Sequence, residues 1–446
     1  MLSHGKRFFC LLSVMIFLTP TPSLMLDKPS LDDKLFDDSS KLTGGWLEEH
    51  DSVKILHVSG TNYEMGYQHG YLLKDEIEEN YRAIFTNDHN NEIYNFVLDA
   101  WNRIIKHHTP QEYIDEMQGL ADGSGRPIED VIVYVVGPDY FIPINGGCTE
   151  IAAWNSSTVD GKLRHLYSSD WFLQIRDPES GTYLQENQLI MIRKPENGHA
   201  SLQFFYAGGF TGYGGVNEHE IAISMDASGS TEFTLNATFF WLRVLMVLDH
   251  ASSATEAINI MNVNRNGRMN YIISDGKIPI AFVCEEAVNC SYVGTWDDET
   301  ESLSPFWQIE NVVRRKNMYI NPDTARTQRP FYDPRIFYLN SIYTGEDYFN
   351  TWRYYKTISE KIEQRWGTLD NENMIFMARS IYRAETDKIL KLYGLLGLDQ
   401  FPSHHQWVVC SATGDIVMSF ADGNKQAQYN NLHYFNFYEL LDAEPP

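Results

Sequence analysis

Positive charge is scarce in this chain: 35 lysines and arginines stand against 60 aspartates and glutamates, a formal charge of −25. No basic patch offsets that field, which excludes nucleic acid as a partner. An acidic compartment, where carboxylates take up protons, suits such a composition. Cysteine is also sparse, five in 446 residues, far from a disulfide scaffold. Long apolar runs are missing as well. The one sustained run, residues 8–18, is too short for a bilayer, which needs about 20 residues, so no integral membrane span is expected. Nothing repeats, and no tract is of low complexity. No histidine–carboxylate spacing points to zinc, and the turn expected at residues 121–125 lacks the further oxygen ligands of a calcium loop. No metal or cofactor is expected.

What is present begins with a leader. Lys6 and Arg7 precede the short apolar run, and Thr19-Pro20-Thr21-Pro22-Ser23 follows it, as in a secretory signal peptide covering residues 1–25. Three glycosylation sequons agree with export, at Asn155, Asn236 and Asn289. With Cys10 in the leader, Cys148, Cys284, Cys290 and Cys410 remain. The six-residue step from Cys284 to Cys290 is compatible with a disulfide closing a hairpin.

Residues 26–50 are acidic and without clear period. From 51 to 147 the pattern is helix-rich: a short strand at 54–58, a capping box with Thr61 as N-cap and Glu64 at N3, and apolar residues at helical spacing from Ile93 to Ile105. From 148 strands dominate, at 189–192, 202–206, 221–224, 271–274 and 280–284. Helices are expected at 239–251, 253–263, 352–366 and 371–382, and a hairpin over 407–420. Strands on both sides of a helical pair predict an α+β protein with two sheets between helical layers.

One cysteine starts the strand-rich part. In Asn145-Gly146-Gly147-Cys148-Thr149-Glu150, Cys148 opens a β-hairpin that turns at Val159-Asp160-Gly161-Lys162 and returns to Trp171. Cleavage of the Gly147–Cys148 bond would place a thiol beside its own α-amine, which titrates near pH 8 and serves as the base for the thiol. A papain-type dyad with His404 or His405 is excluded, because Cys148 opens a strand rather than a helix. His165 reads as structural.

Gly147-Cys148-Thr149, Asp160-Gly161-Lys162-Leu163 and Ser169-Asp170-Trp171 resemble the acyl-coenzyme A:6-aminopenicillanate acyltransferase-like cysteine hydrolases. These belong to the N-terminal-nucleophile superfamily, with bile-salt hydrolases and acid ceramidase. Residues 60–70, 116–123, 214–218 and 270–275 follow in the family's order, so the resemblance spans roughly residues 52–440. It implies an αββα four-layer sandwich, a propeptide or light fragment over 26–147, and a heavy fragment over 148–446 that stays associated with it. It also implies self-cleavage before Cys148 and hydrolysis or acyl transfer at a linear amide of a small-molecule or lipid substrate, in a secreted or lysosomal setting. Carried over residue by residue, Cys148 is the nucleophile and Asp170 the carboxylate that holds it. Asn217, after a Gly214-Gly215 turn, and Asn311 become oxyanion donors, and Arg353 a cation near the nucleophile. Tyr167 departs from the pattern, since relatives often carry arginine there. Two alternatives stay open: a phospholipase B-like lipid ester hydrolase, and a non-catalytic secreted glycoprotein retaining the fold. Aromatic residues, 13% of the chain, include Trp171 and Phe205 near the presumed site and point to an apolar acyl pocket.

Overall fold

A computed structural model of the chain describes residues 41–85, 88–137, 147–171, 173–329, 333–335, 351–380 and 403–445. The expected leader lies outside the described residues. Between 41 and 445 the strands form two sheets. The larger runs β1 (Trp46–His50), β2 (Val53–Gly60), β5 (Gln188–Pro195), β6 (Ser201–Tyr206), β7 (Gly214–Asn217), β8 (Ile221–Ala227), β9 (Met269–Asp275), β10 (Ile280–Glu286) and β11 (Ser291–Gly294) in spatial order. The smaller runs β12 (Val312–Arg315), β3 (Gly147–Asn155), β4 (Gly161–Asp170), β13 (Ser403–Cys410), β14 (Asp415–Phe420) and β15 (His433–Asn436). Neighbours are antiparallel except β2 and β5, which pair in parallel across the presumed cleavage point.

Period-two patterning stacks the sheets. On β3 and β4, Ala152, Trp154 and Leu163 pack with Ile272, Ala281 and Val283 of the larger sheet. His165 ties the same interface, its Nδ1 2.8 Å from Ser274 Oγ and its Nε2 2.7 Å from Ser224 Oγ. It is a structural residue, as expected. Alternate residues Ile151, Leu166 and Val408 face outward, onto Ile358 and Ile362 of the helix Thr351–Arg365 and onto Met374 and Ile375 of the helix at 371–380. Helices α1 (Asn62–Leu72), α6 (Phe240–His250) and α7 (Ala254–Met261) lie against the other side of the larger sheet. The architecture is therefore α+β, a helix–sheet–sheet–helix sandwich.

The capping box at α1 forms as the sequence predicts, with Thr61 and Glu64 bonded reciprocally. The turn expected at 121–125 does not form. Residues Gln111–Ser124 make one helix, α4, ended by Gly125 in the left-handed region at φ 75°. Its Gly119 and Gly123 meet Gly66 and Gly70 of α1, and a Cβ at any of the four would run into backbone of the other helix. Glycines that lower helix propensity are kept here for close approach. Gly214 and Gly215 likewise lie in strand β7 rather than a turn, each backed by neighbouring strand backbone. Within the stretch read as irregular, Trp46–His50 pairs with β2. All four described cysteines are free. In the β10–β11 hairpin Cys284 opposes Val293 and Glu286 opposes Ser291, so Cys284 and Cys290 are not cross-strand partners.

Candidate active site

Cys148 sits at the start of β3, partly buried, and register sets its surroundings. Gly147 lies opposite Asp170, Cys148 opposite Ser169, and Glu150 opposite Tyr167. On the other side β12 pairs with β3 as far as Arg315 opposite Glu150. Continuing that register carries Lys316 and Asn317 to the level of Thr149 and Cys148. The hydrogen bond from Cys148 N to Asn317 Oδ1, 3.1 Å, agrees with that placement.

The Cys148 Sγ is 3.2 Å from Tyr167 Oη. The Lys316 ammonium donates to Asp170 Oδ2 at 3.0 Å and lies 4.8 Å over the Tyr354 ring. Asp170 Oδ1 accepts from Ser168 Oγ at 3.3 Å. Asp226 of β8 accepts from the Asn317 backbone N and, at 2.5 Å, from Asn317 Nδ2. A Cβ at Gly147 would be tight, standing 3.0 Å from Asn317 Oδ1, 3.2 Å from Lys316 Nζ and 3.3 Å from Asp170 Oδ2, so these side-chain ends would have to give by a few tenths of an ångström.

Three buried carboxylates crowd this corner. Burial, and then the charge of Asp226, raise Glu150 well above the usual carboxylate range, while Ser224 and Arg315 draw it down. Burial also lifts Asp226 to about 8, against the pull of Lys316 and Asn317. The Cys148 thiol is held well above its ordinary value by burial, then by Asp226 and Asp170, while Tyr167 and Lys316 draw it down. Lys316 keeps its charge: burial opposes it, and Asp170 and Asp226 outweigh burial. In the intact chain the thiol is protonated and its backbone nitrogen already rests on an amide oxygen.

Beside the thiol, Tyr167 stacks with Tyr213 at 6.4 Å between centroids. Tyr213 joins Trp171, Phe205, Tyr206, Leu184, Ile84 and Tyr134 around a narrow, almost wholly apolar cavity. Ile84 and Tyr134 come from upstream of Gly147, the rest from downstream. Trp171 and Phe205, the aromatics named from sequence, both line this cavity, and Cys148 does not.

Of the residues singled out by sequence, the structure brings together Gly147, Cys148 and Asp170. Asn217 goes elsewhere: its Nδ2 donates to Leu248 O and Ala251 O at the end of α6, and its Oδ1 accepts from His219 N and Ile221 N. It is a spent turn residue. Asn311 lies at the opposite end of β12, where its Nδ2 donates to Ser156 Oγ at 2.7 Å beyond the far end of β3. The asparagine at the thiol is Asn317, six residues on. Arg353 lies on the helix Thr351–Arg365, and its side chain is outside the described residues. Asn155, Asn236 and Asn289 are all exposed. His404 and His405 are buried in β13 against Tyr206 Oη at 2.6 Å and Gln188 Oε1 at 3.0 Å.

Sequence reasoning missed Lys316, Asn317, Asp226 and Glu150. The one readable signal was the polar run Arg314-Arg315-Lys316-Asn317 following Val312-Val313. It also missed a spatial group of possible metal ligands among the described residues, His199, Glu218 and His219. One polar atom of each is engaged elsewhere: His219 Nδ1 lies 3.0 Å from Lys277 Nζ, His199 Nε2 3.1 Å from Ser252 Oγ, and Glu218 accepts from Ala200 N. Among the described residues, no helix is long and apolar enough to cross a membrane.

No family model matches the chain. It is 25% identical over 284 residues to protein dcd1B of Dictyostelium discoideum, covering 57% of this chain and 54% of that protein. Protein dcd1A of the same organism is 26% identical over 282 residues, covering 56% and 61%. An uncharacterized protein of Archaeoglobus fulgidus is 24% identical over 359 residues, covering 71% and 56%. The chain thus spans little more than half the length of these relatives. Among solved structures it is similar to the Caenorhabditis elegans ortholog of N-acylethanolamine-hydrolyzing acid amidase, with a TM-score of 0.37, 12% identity, and coverage of 65% of this chain and 99% of that one. Penicillin V acylase from Agrobacterium tumefaciens gives 0.38, 13% identity, and 66% and 87% coverage. Scores this low carry neither fold nor activity over to this chain.

Proposed function

We propose that this chain is a self-cleaving cysteine amidohydrolase or acyltransferase of the N-terminal-nucleophile kind, acting on a linear, non-peptide amide through an acyl thioester on Cys148. The observation that carries the reading is the placement of Cys148 at the start of β3. Its thiol faces Tyr167 3.2 Å away, its nitrogen rests on Asn317, and Asp170 and Lys316 stand beside the preceding glycine.

The chemistry follows from that placement. The Cys148 thiol adds to the Gly147 carbonyl, the Gly147–Cys148 C–N bond breaks, and the thiol proton passes to the departing nitrogen. Water then hydrolyses the thioester, returning the thiol and leaving a Gly147 carboxylate. The nitrogen that now ends the chain is the one Asn317 Oδ1 already accepts from, so the new amine stays beside the sulfur. In turnover that amine takes the thiol proton, the sulfur attacks a substrate carbonyl, and the leaving amine departs with the proton. Water or an acceptor amine releases the acyl group. Asn317 Nδ2 is directed at Asp226 and Ala227, so Asn317 serves here by holding the amine.

A cut at 147 need not separate the halves. β2 hydrogen-bonds to β5, Arg82 pairs with Asp177 at 2.6 Å, and Glu116 is bidentate on buried Arg193. A secreted or lysosomal location belongs to the same proposal, supported by the leader and the exposed sequon asparagines. Incubating purified protein with matched amide and ester lipids tests the reading. Amide turnover absent from Cys148→Ala supports it, and ester-only turnover contradicts it.

A further inference from the structure

Two turns of the larger sheet meet at a cluster of metal-binding side chains. Strands β6 and β7 pair with Ser201 opposite Asn217. The pairing runs on past the strand ends, where Glu218 N donates to Ala200 O at 2.8 Å and Ala200 N to Glu218 Oε1 at 2.9 Å. One step further, that register sets His199 level with His219, and their rings stand edge to face with centroids 4.1 Å apart. His199 Nδ1 is 3.9 Å from Glu218 Oε1. One ligand atom from each of His199, Glu218 and His219 lies within 4.8 Å of the others.

The backbone beneath these side chains is tied down. His199 N donates to Asp249 O at 2.8 Å, and His199 Nε2 lies 3.1 Å from Ser252 Oγ, just past α6. Asn217 Oδ1 accepts from His219 N and Ile221 N, so the side chain that does not reach the thiol instead shapes this turn. An imidazole fixed through one nitrogen by an outer partner, with the other turned to a cation, is the usual arrangement at a metal. Burial, and then His219, hold His199 below its ordinary value, which keeps the ring neutral at pH 7 and able to bind a metal.

We propose that His199, Glu218 and His219 bind a divalent transition-metal cation of the zinc class, which ties the β5–β6 turn to the β7–β8 turn. Two imidazoles and a carboxylate suit zinc, copper or nickel, whereas magnesium and calcium take oxygen ligands. Three protein ligands leave a fourth position for water. Ligand atoms of a tetrahedral zinc stand roughly 3.3 Å apart, so these three close by at most about 1.5 Å. Side chains at the surface make that adjustment: Glu218 is exposed and both histidines are half-buried. The group that opposes binding is Lys277, exposed, with its Nζ 3.0 Å from His219 Nδ1. A cation on the His219 ring has to displace that ammonium. No metal is expected from sequence spacing, because only the β6–β7 register brings His199 to Glu218 and His219. The site uses nothing from the thiol corner and goes beyond the amide-hydrolase reading.

The test is calorimetric titration of zinc chloride into the full chain after stripping with EDTA, with thermal denaturation run alongside. Parent and Cys148→Ala each take up one equivalent and gain Tm with zinc, as binding to the folded state alone requires. His219→Ala and Glu218→Gln weaken zinc at least about tenfold and remove that gain. Lys277→Ala moves the other way and tightens zinc, since a like charge has left the site. Magnesium chloride at equal concentration does not compete. If His219→Ala fails to fold, Glu218→Gln and Lys277→Ala still decide through their opposite signs. Zinc affinity unchanged in His219→Ala and Glu218→Gln overturns the proposal. So does zinc uptake that vanishes in Cys148→Ala, displacement of zinc by magnesium, or no uptake by the parent.

Discussion

Two kinds of buried charge occur in this molecule, and they are balanced differently. Three buried guanidiniums, on β5, α6 and β12, are each clamped by carboxylates. Arg243 is bidentate on Glu286 at 2.6 and 2.7 Å, Arg315 reaches Glu301 at 2.6 Å and Glu285 at 3.0 Å, and Arg193 holds Glu116 with Asp249 at 3.4 Å. At Cys148 the buried carboxylates Asp170 and Asp226 act on Lys316, while Glu150 stands opposite Arg315 on the neighbouring strand. The gradation shows in Asp249 and Asp226, both buried: beside Arg193 the first is raised to about 6, beside Lys316 the second to about 8. Clamped pairs fix the fold. The acid-rich corner instead holds a thiol whose ionisation is opposed first by burial and then by Asp226 and Asp170, the kind of perturbed group that clusters at functional sites.

Breaking the clamped side gives the largest effect. Arg193→Met strands Glu116 and Asp249 in the interior and costs about 3–5 kcal/mol. Thermal denaturation should show a large loss of Tm, and a variant within a degree of the parent would mean the clamp is not structural. Asn217→Ala comes next. Its side chain holds four hydrogen bonds at a turn remote from the thiol, so a loss of about 1–3 kcal/mol is expected with Cys148 alkylation unchanged. A selective loss of alkylation or turnover would return Asn217 to the active site.

The smallest change sharpens the other side. Asp226 titrates at about 8 when folded and near 3.9 when unfolded, so between those values the folded state holds a proton the unfolded state has lost. Its contribution to stability is therefore greatest at low pH and falls as pH rises from about 4 to 8. Parent protein should lose Tm between pH 5 and 8. Asp226→Asn should flatten that slope while changing stability at pH 5 by less than about 1 kcal/mol. An unchanged slope would show that Asp226 is ionised in the folded protein.

The sequence made the nucleophile's strand legible and hid its neighbours, for one physical reason. Cys148, its hairpin and Asp170 lie within 23 residues and follow local rules: alternation, a Gly turn, and a returning strand whose register places Asp170 opposite Gly147. Lys316 and Asn317 arrive through antiparallel pairing of β12 with β3, a contact between residues more than 160 positions apart. Asn311 was chosen by order along the chain, and the strand it begins carries Asn317 to the site at its other end. Helices α6 and α7 and strands β5, β6, β8, β9 and β10 were readable because their periodicity is strong. α4 was not, because Gly119 and Gly123 look like turn residues until α1 is packed on them.

The most direct measurement is intact mass and N-terminal sequencing of the purified protein at neutral and acidic pH. The account predicts a fragment beginning at Cys148, still associated with its upstream partner and absent from Cys148→Ala. A single uncleaved chain under both conditions would contradict it.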